Sequence, residues 1–175
     1  MNKILGDAKS VRSLLGEKYR IDYYQRDYKW ELKHIRELIE DLTTRFLQEF
    51  EFGHERKAVA NYGKYFLGSI IVSEKNGVRY IVDGQQRLTS LTLLLTYLDR
   101  LQGDQNSGEQ DQVQIANLIY STQYGTTSFN LDVDERNSCL KSIIDGKDPD
   151  PDDPSPSVVN LINRFNGIAC GESDK

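Results

Sequence analysis

No stretch of this 175-residue chain holds the roughly 18 consecutive apolar residues that a bilayer-spanning helix needs, which excludes an integral membrane protein of the helical kind. Cysteine is scarce. Cys139 and Cys170 lie far apart, with neither CxxC spacing nor histidine neighbours, so no structural zinc site and no disulfide framework is expected. The start, Met1-Asn2-Lys3-Ile4-Leu5, runs at once into charged residues and lacks a secretory hydrophobic region. These absences together predict a cytoplasmic, reducing compartment. Two glycine-rich phosphate signatures are also missing, GxxxxGK[ST] and GxGxxG, which excludes a P-loop or Rossmann nucleotide site. The chain has no excess of positive charge either: its formal net charge is −5. Phosphate neutralisation supplies most nonspecific nucleic-acid affinity, so an acidic chain is a poor stand-alone binder of duplex DNA.

That charge is unevenly distributed. Residues 1–100 carry 17 Lys/Arg against 14 Asp/Glu, and residues 101–175 carry 5 against 13. A local basic pocket in the first hundred residues is compatible with this balance, whereas a long basic face is not. The segment Asp145–Pro156 holds five aspartates and all four prolines, and reads as a solvated loop.

The most informative stretch is Asp83-Gly84-Gln85-Gln86-Arg87. It joins a strand-like run, Val78–Val82, to an apolar helical run from Gln85 to about Leu101, with Leu88, Leu91, Leu95 and Leu98 on one side and Leu94 beside them. A glycine turn feeding a helix N-terminus leaves several backbone N–H groups without partners at the positive end of the dipole, which makes an anion site for which phosphate is the usual guest. A second reading stands beside it: Asp83 as N-cap, with Gln86 closing a capping box. That reading leaves Arg87 unexplained. A cation in the first turn opposes the dipole by roughly 0.3–1 kcal/mol unless Asp83 or a bound anion compensates.

A second constellation precedes it. Tyr19–Tyr23 alternates like a strand and leads into Tyr23-Tyr24-Gln25-Arg26-Asp27-Tyr28-Lys29-Trp30. Arg26 offers a planar fork of donors suited to phosphate, and Gln25 offers a donor and an acceptor. The aromatics either stack on a base or fill the core, and Asp27 beside Arg26 also reads as a surface ion pair. From Glu31 onward, Leu32, Ile35, Ile39, Leu42, Phe46 and Phe50 recur at three- and four-residue steps, the pattern of an amphipathic helix with one buried stripe. Further expectations are a short helix over 9–15, a polar loop over 51–63, a central strand over 65–72 and a two-residue hairpin turn at Asn76-Gly77. Beyond these come a connector at 103–108, a modest helix over 112–121, a strand over 126–131, a helix over 134–144 and a last one over 158–165. The fold class read from this order is α+β, a small mixed sheet with packed helices.

Three segments, Tyr24-Gln25-Arg26-Asp27-Tyr28-Lys29-Trp30, Phe66-Leu67-Gly68-Ser69-Ile70 and Ile81-Val82-Asp83-Gly84-Gln85-Gln86-Arg87-Leu88-Thr89-Ser90-Leu91, together resemble the N-terminal domain of GmrSD-like type IV restriction endonucleases. Order and spacing agree from about residue 8 to at least residue 145. The resemblance implies a ParB/sulfiredoxin-like nucleotide-binding core over 1–102, carrying the YQR and DGQQR elements, and a mostly helical extension over 103–175. It also implies a module that binds and hydrolyses nucleoside triphosphates with Mg²⁺ to control cleavage of modified phage DNA. Carried over by position, Gln25, Arg26, Gly84, Gln85, Gln86 and Arg87 would bind the nucleotide, and Asp83 and Arg87 would serve catalysis, Asp83 by orienting water or metal. Asp41 matches a recurrent acidic position, and a solvated helix face explains it as well.

Two departures accompany the resemblance. The family's later Phe…Asn…Gly element has only Asn163-Arg164-Phe165-Asn166-Gly167 as a counterpart, and an HNH-type nuclease is expected in the family but absent here. His34 and His54 alone cannot supply one, and both read as surface residues. Contact with DNA is therefore expected through a larger protein or a partner. The alternative function is a noncatalytic DNA-binding or protein-interaction module.

Overall fold

A computed structural model of the chain describes residues 5–21, 28–104, 113–123, 126–145 and 147. Helix α1 (Val11–Leu15) is started by Ser10, whose hydroxyl accepts from Ser13 N at 3.1 Å. Strand β1 (Tyr19–Ile21) follows, then helix α2 (Leu32–Leu47), a 3₁₀ turn at Arg56–Asn61, strands β2 (Ile71–Lys75) and β3 (Val78–Asp83), and the long helix α3 (Gln85–Asp104). The remaining elements are α4 (Ala116–Ile119), β4 (Tyr120–Gln123), β5 (Thr126–Phe129), β6 (Leu131–Asp132) and α5 (Asp134–Ile144).

Four strands form a mixed sheet in the order β2-β3-β1-β6, and β4 and β5 form a separate ribbon. β1 runs parallel to both β3 and β6, while β2 and β3 form the antiparallel hairpin that Asn76-Gly77 predicted. Both turn residues have positive φ, at 53° and 74°, as a type I′ hairpin requires. The α+β expectation is therefore borne out.

The core has two parts. Leu15, Tyr19, Ile21, Ile81, Leu88, Leu131 and Val133 pack between the sheet and its covering helices. Tyr28, Ile35, Leu93 and Leu140 pack where α2, α3 and α5 meet. Helix α3 thus serves both, and burial extends to its hydroxyl residues Thr89, Ser90, Thr92 and Thr96. Burying these groups is tolerated because they bond locally: Thr92 Oγ1 donates to Leu88 O at 2.9 Å and Thr96 Oγ1 to Thr92 O at 2.8 Å. Asn130 is a second buried polar device. Its side chain donates to Leu15 O and Asn117 O, and its carbonyl accepts from Tyr19 N, so it ties α1, α4 and β1 together.

Several expectations need correction. The run 65–72 is not a central strand: only Ile71–Lys75 is a strand, and it lies at the sheet edge. Gly68, at φ 100°, breaks the extended path before it. In the span 112–121 the described residues hold only the short α4 before turning into β4. The run 126–131 divides at Asn130 between two sheets. The α2 stripe is buried at Ile35 but surfaces toward its end, where Phe46 is 39% and Phe50 43% exposed. The polar loop at 51–63 contains the 3₁₀ turn. The helix over 134–144 is found as expected, and the expected helix over 158–165 lies outside the described residues.

Candidate functional site at the start of helix α3

The site is built where β3 ends. Gly84 carries the chain from strand to helix at φ 91°, and Leu88 N donates back to its carbonyl at 3.1 Å. A Cβ on Gly84 would stand 2.8 Å from Ile70 Cγ1 and 3.3 Å from Ile70 Cα. Glycine is needed here twice over, for the backbone conformation and for the close approach of the 68–70 strap.

That strap also seats Arg87. Its Nη1 donates to Ser69 O, and the guanidinium lies against Gly68, where an added Cβ would be 3.1 Å from Cζ. No carboxylate among the described residues pairs with Arg87. Asp83 is exposed at the end of β3, facing Ile71 in the ladder.

Gln85 opens α3 with Gly84 directly before it, so Asp83 does not occupy the cap position. The capping-box reading fails on a second count, because Gln86 is committed elsewhere. Its Oε1 accepts from Lys29 N at 2.9 Å and Trp30 N at 3.4 Å. Gln85 Oε1 is buried and has no hydrogen-bond partner among the described residues. A buried acceptor left unpaired costs about 1–3 kcal/mol.

Gln25 and Arg26 lie outside the described residues, as do Tyr23, Tyr24 and Asp27. Their two flanks are described, and both are at this end of the sheet. Ile21 is the partner of Ile81 in the parallel pair, and Tyr28 OH shares a 2.8 Å hydrogen bond with Ser90 Oγ on α3. Tyr28 is buried and Trp30 half-buried, which favours the core reading for these two aromatics.

Asp41 accepts a 2.6 Å hydrogen bond from Tyr65 OH, and this bond holds the tyrosine's pKa above its ordinary value. The acid is therefore occupied on the helix surface. His34 Nδ1 accepts from Glu31 N, and His54 Nδ1 is bonded to Tyr62 OH, the surface roles expected of both. Among the described residues no group of three or more His, Cys, Asp or Glu could hold a metal ion. A cavity of about 650 Å³ lies at the opposite end of the sheet. Its two arginines are already matched by carboxylates, Arg20 with Asp132 and Arg79 with Glu17 and Glu74, while Lys18 donates to Ser128 Oγ.

The contributions of Gly68, Ser69, Lys29, Trp30 and Ser90 act through backbone groups or a hidden hydroxyl, and the sequence marks only one of them. A glycine inside an apolar run signals a close approach, and Gly68 makes one.

The family model described as the GmrSD restriction endonuclease N-terminal domain matches residues 2–167. The chain belongs to that family. The GmrSD N-terminal match takes in every candidate site residue and extends through Asn163–Gly167. It makes the chain a module of a restriction system. No curated protein matches the chain, and no described helix is long and apolar enough to cross a membrane.

Proposed function

We propose that this GmrSD-family module binds a nucleoside triphosphate at the start of α3 and, through its hydrolysis, regulates the restriction system to which it belongs. The observation that carries this reading is Arg87. A first-turn cation needs a negative partner, and its recorded partner is the Ser69 carbonyl rather than a full charge. A phosphate at the helix N-terminus would supply that charge, bound by the dipole and the guanidinium together.

The donor set fits Mg²⁺ in the manner usual for nucleotide sites. Mg²⁺ keeps waters and takes one or two carboxylates plus the substrate's own phosphates, and Asp83 is the exposed carboxylate at this turn. When bound, it would neutralise charge on the β and γ oxygens. The chain's own contribution is electrostatic: Arg87 and Arg26 stabilise charge on the phosphoryl oxygens, and Asp83 orients water or metal. Contact with DNA then falls to a larger protein or partner, in keeping with the acidic balance.

Thermal-shift titration with ATP, GTP, CTP and UTP, each with and without Mg²⁺, tests the reading. Binding at a hundredfold excess over Kd stabilises by about 2.7 kcal/mol. Arg87→Ala should remove that shift while leaving the unliganded melting temperature nearly unchanged. A collapse of melting temperature with binding intact would make Arg87 structural. Salt-dependent DNA binding without any nucleotide effect would favour the noncatalytic module instead.

A further inference from the structure

Three large apolar side chains are left in water at the turn that begins α3. Phe66 is 82% exposed, Ile71 52% and Val82 44%. Each adjoins a residue of the site. Ile71 is the ladder partner of Asp83 and follows Ile70, whose Cα would be 3.3 Å from a Cβ on Gly84. Val82 directly precedes Asp83, at a bulge where the register passes from Ile71–Asp83 to Val72–Ile81, and bulges of this kind re-aim side chains beside binding sites. Phe66 stands two residues before Gly68, so its Cα is within about 7 Å of the backbone against which the Arg87 guanidinium lies. The chain is held on both sides of Phe66: Tyr65 OH donates to Asp41 at 2.6 Å, and Ser69 O accepts from Arg87 Nη1. A single exposed apolar residue is ordinary, but a group of three at one turn is not, and none of the three belongs to either core cluster.

We propose that this exposed apolar shelf is the base-binding half of the site, with Phe66 stacking on the nucleobase while Arg87 takes the phosphates. The inference rests on the nucleotide reading above and deepens it, by naming what holds the part of the ligand that carries no charge. A nucleoside triphosphate is a polyanion joined to a flat ring with apolar faces. A seated cation with an aromatic, apolar surface close by matches both parts of it. Phe66 gains a stacking partner without leaving the core, because it is not in the core. The anchoring at Tyr65 and Ser69 leaves little of the chain to be ordered on binding, which favours affinity. Stacking does not read base edges, so purines and pyrimidines are both accepted, the larger purine with the greater overlap.

The test separates base from phosphates by titrating the full chain calorimetrically with ATP and with inorganic tripolyphosphate, each with Mg²⁺. Phe66→Ala should weaken ATP binding about tenfold or more, the worth of one stacked base, and leave tripolyphosphate affinity unchanged. Phe66→Tyr, which keeps the ring, should retain ATP affinity, and Phe66→Leu, which keeps only apolar bulk, should not. Arg87→Ala should weaken both ligands. At so exposed a position the Phe66 variants should melt as the wild type does. Equal losses for ATP and tripolyphosphate would make Phe66 a support of the phosphate site and overturn the stacking role. Unchanged ATP affinity in Phe66→Ala would overturn it outright, and if that variant also turned a wild-type dimer into a monomer, the shelf would belong to a contact between copies of the chain. Wild-type protein that binds tripolyphosphate as tightly as ATP would overturn the base site and spare the phosphate site. Wild-type protein that binds neither would overturn the nucleotide reading and the stacking role together.

Discussion

Replacing Gly84 by alanine probes the geometry of the turn most directly. Two costs are expected. A non-glycine residue in the left-handed region costs about 1–2 kcal/mol, and Gly84 sits at φ 91°. The new methyl group would also arrive 2.8 Å from Ile70 Cγ1 and 3.3 Å from Ile70 Cα, and overpacking of this kind costs about 1–3 kcal/mol. The sum is roughly 2–4 kcal/mol after the alanine's smaller unfolded-state entropy is allowed for. Gly77 provides the control: it has φ 74° and nothing within 4 Å of an added Cβ, so Gly77→Ala carries the conformational cost alone, about 1 kcal/mol. Urea unfolding measures both variants. With a slope of about 2 kcal/mol per M, Gly84→Ala should lower the midpoint by about 1–2 M at unchanged slope. Should Gly84→Ala and Gly77→Ala prove equally costly, the 68–70 strap does not press on the turn, and the account of how Arg87 is seated fails with it.

Three further outcomes follow from the same structure. Ile35→Ala, at a fully buried position of α2, should cost about 2–5 kcal/mol, while Phe46→Ala on the exposed end of the same stripe should cost under about 1 kcal/mol, both read from urea midpoints. Burial first, then the hydrogen bond to Glu17 and that carboxylate's charge, push the Tyr19 pKa up to about 12. Between its ordinary value of about 10 and that raised value, the unfolded chain loses the phenolic proton and the folded one keeps it, so stability falls by up to about 1.4 kcal/mol per pH unit, an upper bound. Tyr19→Phe should flatten that alkaline decline when unfolding is followed from about pH 9 to pH 11, and an unchanged slope would place the titrating group elsewhere.

Where one physical effect dominated, the sequence was legible. The Asn76-Gly77 hairpin, the strand–glycine–helix passage at residues 78–85 and the helix over 134–144 follow from turn chemistry and periodicity alone. Errors arose where tertiary contacts overrode local preference. Tyr65–Ile70 has strand-like composition, but it spends its contacts on Gly84 and Arg87 instead of on a ladder. Asn130 breaks one β-rich run in two because its amide is needed by α1 and α4. At the site, the sequence pointed to Asp83–Arg87 as a unit, and the structure distributes its members: Gly84 to the strap, Arg87 to Ser69, Gln86 to the 28–30 backbone. No pattern of residue types announces that a glutamine will hold a neighbouring segment's amides, because any acceptor of suitable length would do.

The place of β1 in the sheet has a consequence for how the chain is made. β1 is synthesised before both of its neighbours, which come from far along the chain, pairing Ile21 with Ile81 and Tyr19 with Leu131. Non-local parallel pairings form slowly, and an unpaired apolar strand invites wrong partners while it waits. The glycine turn and α3 are synthesised well before β6, but the sheet beneath them is closed only when Leu131 and Asp132 arrive. Completion of the sheet therefore waits for residues that take no part in the candidate site.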